Sequence, residues 1–365
     1  MRITVVGAGV MGLSAGRVLA ERGHDVVVVD RFGVGNAMAS SSGATRIWRL
    51  AHPDRRRVRL ARWNSELWER LERDAGRPLR LHRGLLWRGG AAAEVAAALA
   101  AEDVPHECLD AAGQLARFPE LVWEPDRPVV WQPEAGAVLA AEALSASGRL
   151  LAQAGGTLLE GREVRSVHQL PAGGVRVVTD DGSLDADVVV VAAGPWAQSL
   201  LSEVGIDVQL TPVLEQVTYM RGGEMPWQDR PCVIDVPNSG GSFGCYAMPT
   251  PGIGYKVGID EPVRSFDPTS VDRRPDAVRE RAAVDWVRAQ IPAMDATPVR
   301  SEVCSWTDSP DGQFILDRVG DVVVGCGDSG QGFKFHPMLG ELLADLADGT
   351  PTRPDAVEFD LTRFG

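Results

Sequence analysis

A chain of 365 residues has room for two domains or one large α/β domain with an insertion, and 44% hydrophobic with 24% charged residues is ordinary for a water-soluble globular protein. A formal charge of −13 disfavours nucleic acid or an anionic membrane as partner. No apolar run is long enough to span a bilayer, and the five scattered cysteines, with no C-x-x-C pair, suggest neither a disulfide framework nor a zinc site.

Residues 3–30 read as strand, glycine turn, helix and strand. Ile3 to Val6 is a short β-branched run suited to a buried parallel strand. Gly7, Gly9 and Gly12 form G-x-G-x-x-G: one glycine for the tight turn, one for close approach of a pyrophosphate, one for helix–sheet packing. The helix start offers free N–H groups and partial positive charge to phosphates. Met11, Ala15, Leu19 and Ala20 recur at helical spacing, and Gly23 ends the helix. Val26 to Val29 is a second buried strand, closed by Asp30 where an acid would hold a ribose hydroxyl. This motif predicts a dinucleotide and does not separate FAD from NAD. Because it begins at residue 3, a secretory signal is not expected and the predicted location is cytoplasmic.

Residues 33–46 are small and polar, a loop beside the expected cofactor, and Arg46 and Arg49 follow at an i, i+3 interval that suits a helix. Arg55, Arg56 and Arg57 read as a solvated basic run. The next helix, from Val58 to Arg73, has Leu60, Trp63, Leu67, Trp68 and Leu71 on its core face. A strand over 84–90, an alanine-rich helix over 91–102, an irregular stretch with short strands over 115–139 and a helix over 141–154 come next. A meander through Val164, Val167 and Val175 to Val178 turns at Asp181-Gly182. Asp187 to Trp196 (DVVVVAAGPW) contains another buried strand. β-like runs near 213–220, 231–236, 243–248 and 254–259 predict an antiparallel sheet. A helix over 276–290, a return to the cofactor through 301–317 and 321–335, and a last helix over 337–348 complete the chain.

Taken together, the fingerprint, SSGATRIWR, AAGPW, YKVGID, CSWTDSPDGQFILD and GDSGQGFKF resemble the FAD-dependent D-amino-acid-oxidase superfamily, and within it the sarcosine and N-methyltryptophan oxidases. The resemblance covers essentially the whole chain. It implies an α/β fold: an FAD-binding Rossmann-like domain of the two-dinucleotide-binding type (1–80, 140–210, 300–365) with an interleaved antiparallel-sheet substrate domain (81–139, 211–299).

For the cofactor, the resemblance implies FAD linked through the sulfur of Cys304, with Met11, Ser42, Thr45, Arg46 and Val164 among its neighbours. Gly330 and Gly332 open toward the flavin. Arg49 and Lys334 match the residues that bind the substrate carboxylate, and a guanidinium suits a planar carboxylate. Lys256 matches the oxygen-activating lysine. Ser42 and Asp260 stand where the family has histidines near the flavin, and Trp306 replaces a tyrosine. Asp260 either faces the substrate amine or caps a turn, and Tyr246 either lines the pocket or packs in the core. These departures put sarcosine itself in doubt and suit a cyclic imino acid, as in the related piperideine-carboxylate oxidase of nikkomycin biosynthesis.

The expected activity is oxidation of a secondary α-amino acid to an imine, with oxygen reduced to hydrogen peroxide, by a monomer. Rival readings are a dehydrogenase of the same fold with another electron acceptor, a non-catalytic flavin- or NAD-binding module, and an NAD-dependent reductase.

Overall fold

The structure is a computed structural model, and it describes residues 1–224, 226–237, 244–264, 266–351 and 353–365. Two large sheets divide the chain. The first has six strands in the order Ile315–Val319, Val322–Cys326, Val188–Val191, Arg2–Val6, Asp25–Asp30 and Thr157–Glu160. All its pairings are parallel except the first. Its central strands are runs of valine because both faces are covered: Val5, Val28, Val190 and Val323 are wholly buried. The helices Val10–Glu21, Ala140–Gln153 and His336–Asp348 pack with this sheet in a common core. The predicted meander forms a separate three-stranded antiparallel sheet, Val164–Gln169, Val175–Thr179 and Gly182–Ala186.

The second large sheet has eight strands, with Asp295–Asp308, Thr211–Gly222, Gly254–Ile259, Cys245–Thr250 and Cys232–Val236 in antiparallel succession. One junction departs from the antiparallel expectation: Cys232–Val236 pairs in parallel with Leu85–Gly89. That pairing joins two segments distant in sequence, so no hairpin constrains its direction. The expected boundary at residue 300 falls inside Asp295–Asp308, which stays in this sheet through Asp308. Residue 243 of the run predicted over 243–248 lies outside the described residues.

Three local expectations need correction. Arg46 and Arg49 are not on a helix: Thr45–Trp48 is a strand paired with Gly136–Leu139, and Arg49 follows it directly. Arg57 is not solvated. It is 5% exposed, its guanidinium 4.6, 5.7 and 5.4 Å from the rings of Phe314, Phe335 and Phe359. The stretch 115–139 catches the end of a helix, Ala111–Arg117, that its alanines and glycine did not announce. Among the described residues no helix is long and apolar enough to cross a membrane, and no cluster of side chains could hold a metal ion.

The glycine turn shows why its residue types are required. Gly7 has φ +104°, and a Cβ there would stand 2.4 Å from the Ala192 carbonyl oxygen. A Cβ on Gly12 would lie 2.0 Å from the Gly7 oxygen. Gly12→Ala is therefore expected to push the helix off the strand, destabilising the fold by about 1–3 kcal/mol. Thermal melting should fall and the purified protein should hold less FAD, read from its visible absorbance.

Candidate active site

A cavity of about 950 Å³ runs between the two sheets. At one end it is lined by Gly7, Gly9, Val10, Met11, Asp30 and Val164. The helix Val10–Glu21 points its start at this end, and Ser41 Oγ accepts the Val10 N–H at 3.0 Å. Asp30 is held in place by three backbone N–H groups, those of Ala8, Phe32 and Gly33, at 2.7–2.8 Å. Gly12 does not line the cavity but packs beneath the turn.

Arg46, Lys256, Cys304 and Thr307 also line the cavity. Arg46 donates to the carbonyls of Thr45, Ser40 and Ser42. Lys256 is 2% exposed and donates from Nζ to the Thr45 carbonyl at 2.8 Å. Burial, then the Arg46 charge, pushes the Lys256 ammonium down to about 7. Neither Thr45 nor Ser42 lines the cavity. Both act through carbonyl oxygens that position the two cations. The hydroxyl of Thr307 is buried with no hydrogen-bond partner among the described residues.

One part of the lining gathers positive charge. Arg49 and Lys334 line the cavity, with the Arg49 guanidinium 5.0 Å from the Trp87 ring centroid and donating to the Ala51 carbonyl. Burial and Arg57 push Arg49 down to about 9. Burial and the Arg49 and Arg57 charges take Lys334 well below the usual lysine range. Behind them His52 is 3% exposed and is held neutral by burial and by Arg49, Lys334 and Arg57. Lys334 belongs to a single turn, Gly332–Phe335, that leads into His336–Asp348. Asn64 Nδ2 and Trp68 Nε1 fix it by donating to the Lys334 carbonyl at 2.7 and 3.0 Å. Gly330 lines the cavity and Gly332 does not.

Asp260, Tyr246 and Trp306 complete the lining. Asp260 is solvent-exposed at the cavity wall, yet the surrounding protein raises its carboxyl above the usual range, with Lys334 pulling it down. Its backbone N–H donates to the Gly244 carbonyl at 2.8 Å. The Trp306 indole donates to Asp308 Oδ1 at 2.9 Å, and Gly330 sits against its ring. Sequence reasoning missed His52, Arg57, Trp87 and Glu215. None belongs to a motif, and only the aromatic residues gathered around Arg57 in three dimensions explain its burial.

The donor set suits FAD. A glycine turn whose Gly7 and Gly9 line the cavity stands with an oriented acid, and an unpartnered buried hydroxyl and two cations line the same cavity. A dinucleotide fold continued into such a chamber defines a flavin-dependent oxidoreductase. The family model described as DAO, FAD dependent oxidoreductase, matches residues 2–346, and the chain belongs to that family.

Similarity extends across the molecule. The monomeric sarcosine oxidase of Streptomyces avermitilis is 31% identical over 368 residues, covering 96% of this chain and 95% of that protein. The peroxisomal sarcosine oxidase of Homo sapiens is 30% identical over 378 residues, covering 99% and 95%. The solved structure of NikD, an amino acid oxidase essential for nikkomycin biosynthesis, aligns with a TM-score of 0.87 at 28% identity, covering 98% of this chain and 96% of that one.

Proposed function

We propose that this enzyme oxidises a secondary α-amino acid, N-methylated or cyclic, to an imine and passes the electrons to oxygen, giving hydrogen peroxide. The observation that carries the reading is the pair Arg49 and Lys334. Two cations crowded against Arg57 in a low-dielectric chamber are costly, and each lowers the proton affinity of its neighbours. A bound carboxylate relieves that repulsion, so the chamber selects an anion of carboxylate size. FAD, when bound, supplies the hydride acceptor.

Gripping the carboxylate fixes the α-carbon relative to the cofactor, the largest service a positioning site can give. Asp260 faces the amine and favours substrates that carry a proton on nitrogen. Trp87, Tyr246 and Trp306 wall the pocket and keep water from the reacting carbon. Lys256 acts on oxygen. The names of the relatives, sarcosine oxidases and an amino acid oxidase, support the same substrate class. The aromatic face of Trp306 and the acid at 260 favour a cyclic or aromatic substrate over sarcosine.

Anaerobic mixing with a panel of N-methyl, cyclic and aromatic amino acids tests the reading. At least one should bleach the visible absorbance within seconds, and admitting air should restore the colour with one peroxide per turnover. Bleaching by none of them sinks the proposal, and bleaching without peroxide assigns the electrons to another acceptor. The cofactor is held covalently through Cys304. Acid precipitation of the wild type should leave the yellow colour in the pellet, and Cys304→Ser should release it into the supernatant. Yellow supernatant from the wild type rejects the linkage.

A further inference from the structure

Gly258 brings no side chain to the chemistry above, yet its place in the eight-stranded sheet shapes the chamber. Strand register sets one row: Trp87 stands opposite Ile234, Ile234 opposite Tyr246, Tyr246 opposite Gly258, and Gly258 opposite Val217. Residues paired across a sheet project from the same face. Every member of the row except Gly258 lines the cavity, so this face is a wall of the chamber. A Cβ on Gly258 would stand 2.3 Å from Tyr246 Cζ and 2.5 Å from its Oη. The tip of the Tyr246 ring therefore occupies the space that any side chain at 258 would take. The ring lies down over Gly258, away from Ile234.

That posture leaves the space above Ile234 open between two aromatic residues. Trp87 bounds it on the other side, its indole N–H donating to the Gly90 carbonyl at 2.8 Å, which fixes the ring. The Arg49 guanidinium lies 5.0 Å from the Trp87 ring centroid, so the carboxylate grip stands at this end of the opening. Tyr246 begins two strand spacings from Trp87, about 10 Å. A molecule held by its carboxylate at Arg49 extends over Ile234 toward the Tyr246 ring, and one as short as sarcosine leaves that span unfilled. Val236 and Met248, two residues further along their strands, line the cavity as well, so an apolar group meets apolar surface.

We infer that Gly258 opens a slot over Ile234, between Trp87 and Tyr246, that takes a planar apolar ring carried by the substrate. The glycine thereby sets the substrate class as an α-amino acid bearing an aromatic or other flat ring. The inference rests on the carboxylate clamp proposed above. Flat rings pack against aromatic side chains by offset or edge contacts that a puckered ring cannot match. Any side chain at 258 makes the Tyr246 ring rise or swing toward Ile234, and either move takes space from the slot.

The test reads the binding of acetate, benzoate and cyclohexanecarboxylate to the oxidised, FAD-loaded protein from the change in its visible absorbance. None of the three carries an amine, so the measurement does not depend on turnover. Wild type should bind benzoate about tenfold more tightly than cyclohexanecarboxylate, and more tightly still than acetate. Gly258→Ala should cut the preference for benzoate over acetate about tenfold, a ratio in which general damage to the site cancels. Tyr246→Leu removes the aromatic wall and keeps the glycine. It should erase the preference for benzoate over cyclohexanecarboxylate, and it decides the matter if Gly258→Ala fails to fold. A wild type without that preference, or variants that keep the wild-type ratios, overturn the inference. A protein that shows the expected ratios but is bleached by no amino acid keeps the slot and loses the proposed oxidation. Should none of the three acids perturb the flavin, the anion clamp falls and the slot assignment falls with it.

Discussion

Replacing Lys256 by methionine should slow reoxidation of the reduced enzyme by oxygen about 10²–10³-fold and leave anaerobic reduction by substrate within a few-fold. The side chain is 2% exposed and its Nζ is anchored 2.8 Å from the Thr45 carbonyl, so the charge is fixed before oxygen arrives. The first electron to reach oxygen makes an anion, and a preorganised cation in a dry site stabilises it without reorganisation. Methionine keeps the volume and removes the charge. Equal slowing of both half-reactions would refute a role confined to oxygen.

The pH dependence follows from the same residue. Burial and Arg46 hold Lys256 at about 7. Its cation is fully present below that value and is lost as pH rises through it. The wild-type reoxidation rate should therefore decline above about pH 7, and the Lys256→Met rate should be flat across the same range. Stopped-flow measurement of oxygen addition to the photoreduced protein reads both limbs.

Much of this site is legible in sequence because its parts are local. The strand–turn–helix of residues 3–30 is specified by backbone geometry, since Gly7 and Gly12 occupy positions where a Cβ would strike a carbonyl. The valine runs at 26–29 and 188–191 could only be strands covered on both faces. What stayed hidden depends on distant segments meeting. Arg57 reads as a surface charge beside Arg55 and Arg56 until Phe314, Phe335 and Phe359 close around it. The i, i+3 interval of Arg46 and Arg49 fits a helix, yet pairing with Gly136–Leu139 draws residues 45–48 into a strand. Glu215 sits in an ordinary β run, and only the strand register places it opposite Cys304. Thr45 and Ser42 are near the cations in a way no side-chain motif encodes, because their carbonyls do the positioning.

The carboxylate clamp gives the other large effect. Arg49→Ala should lower kcat/KM by about 10²–10³, the loss of a charge-assisted pair worth about 3–4 kcal/mol in the chamber. The apo protein should not lose stability in proportion. Removing Arg49 relieves repulsion with Lys334 and Arg57, so the melting temperature should hold or rise. Such a split between activity and stability separates a binding role from a structural one.

Lys334 supplies the pH signature of the clamp. Arg49 is among the charges that depress it, so the ammonium is lost early as pH rises and substrate affinity falls with it. In Arg49→Ala that limb should move to higher pH, because the neighbour that repels the proton is gone. Arg49→Lys keeps the charge but not the forked pair of donors, and should restore only part of the activity. Amines lacking a carboxylate should react poorly with the wild type and equally poorly with the variant. Were Arg49→Ala to retain kcat/KM for an amino acid within a few-fold, the anion that these two cations await would be something other than substrate.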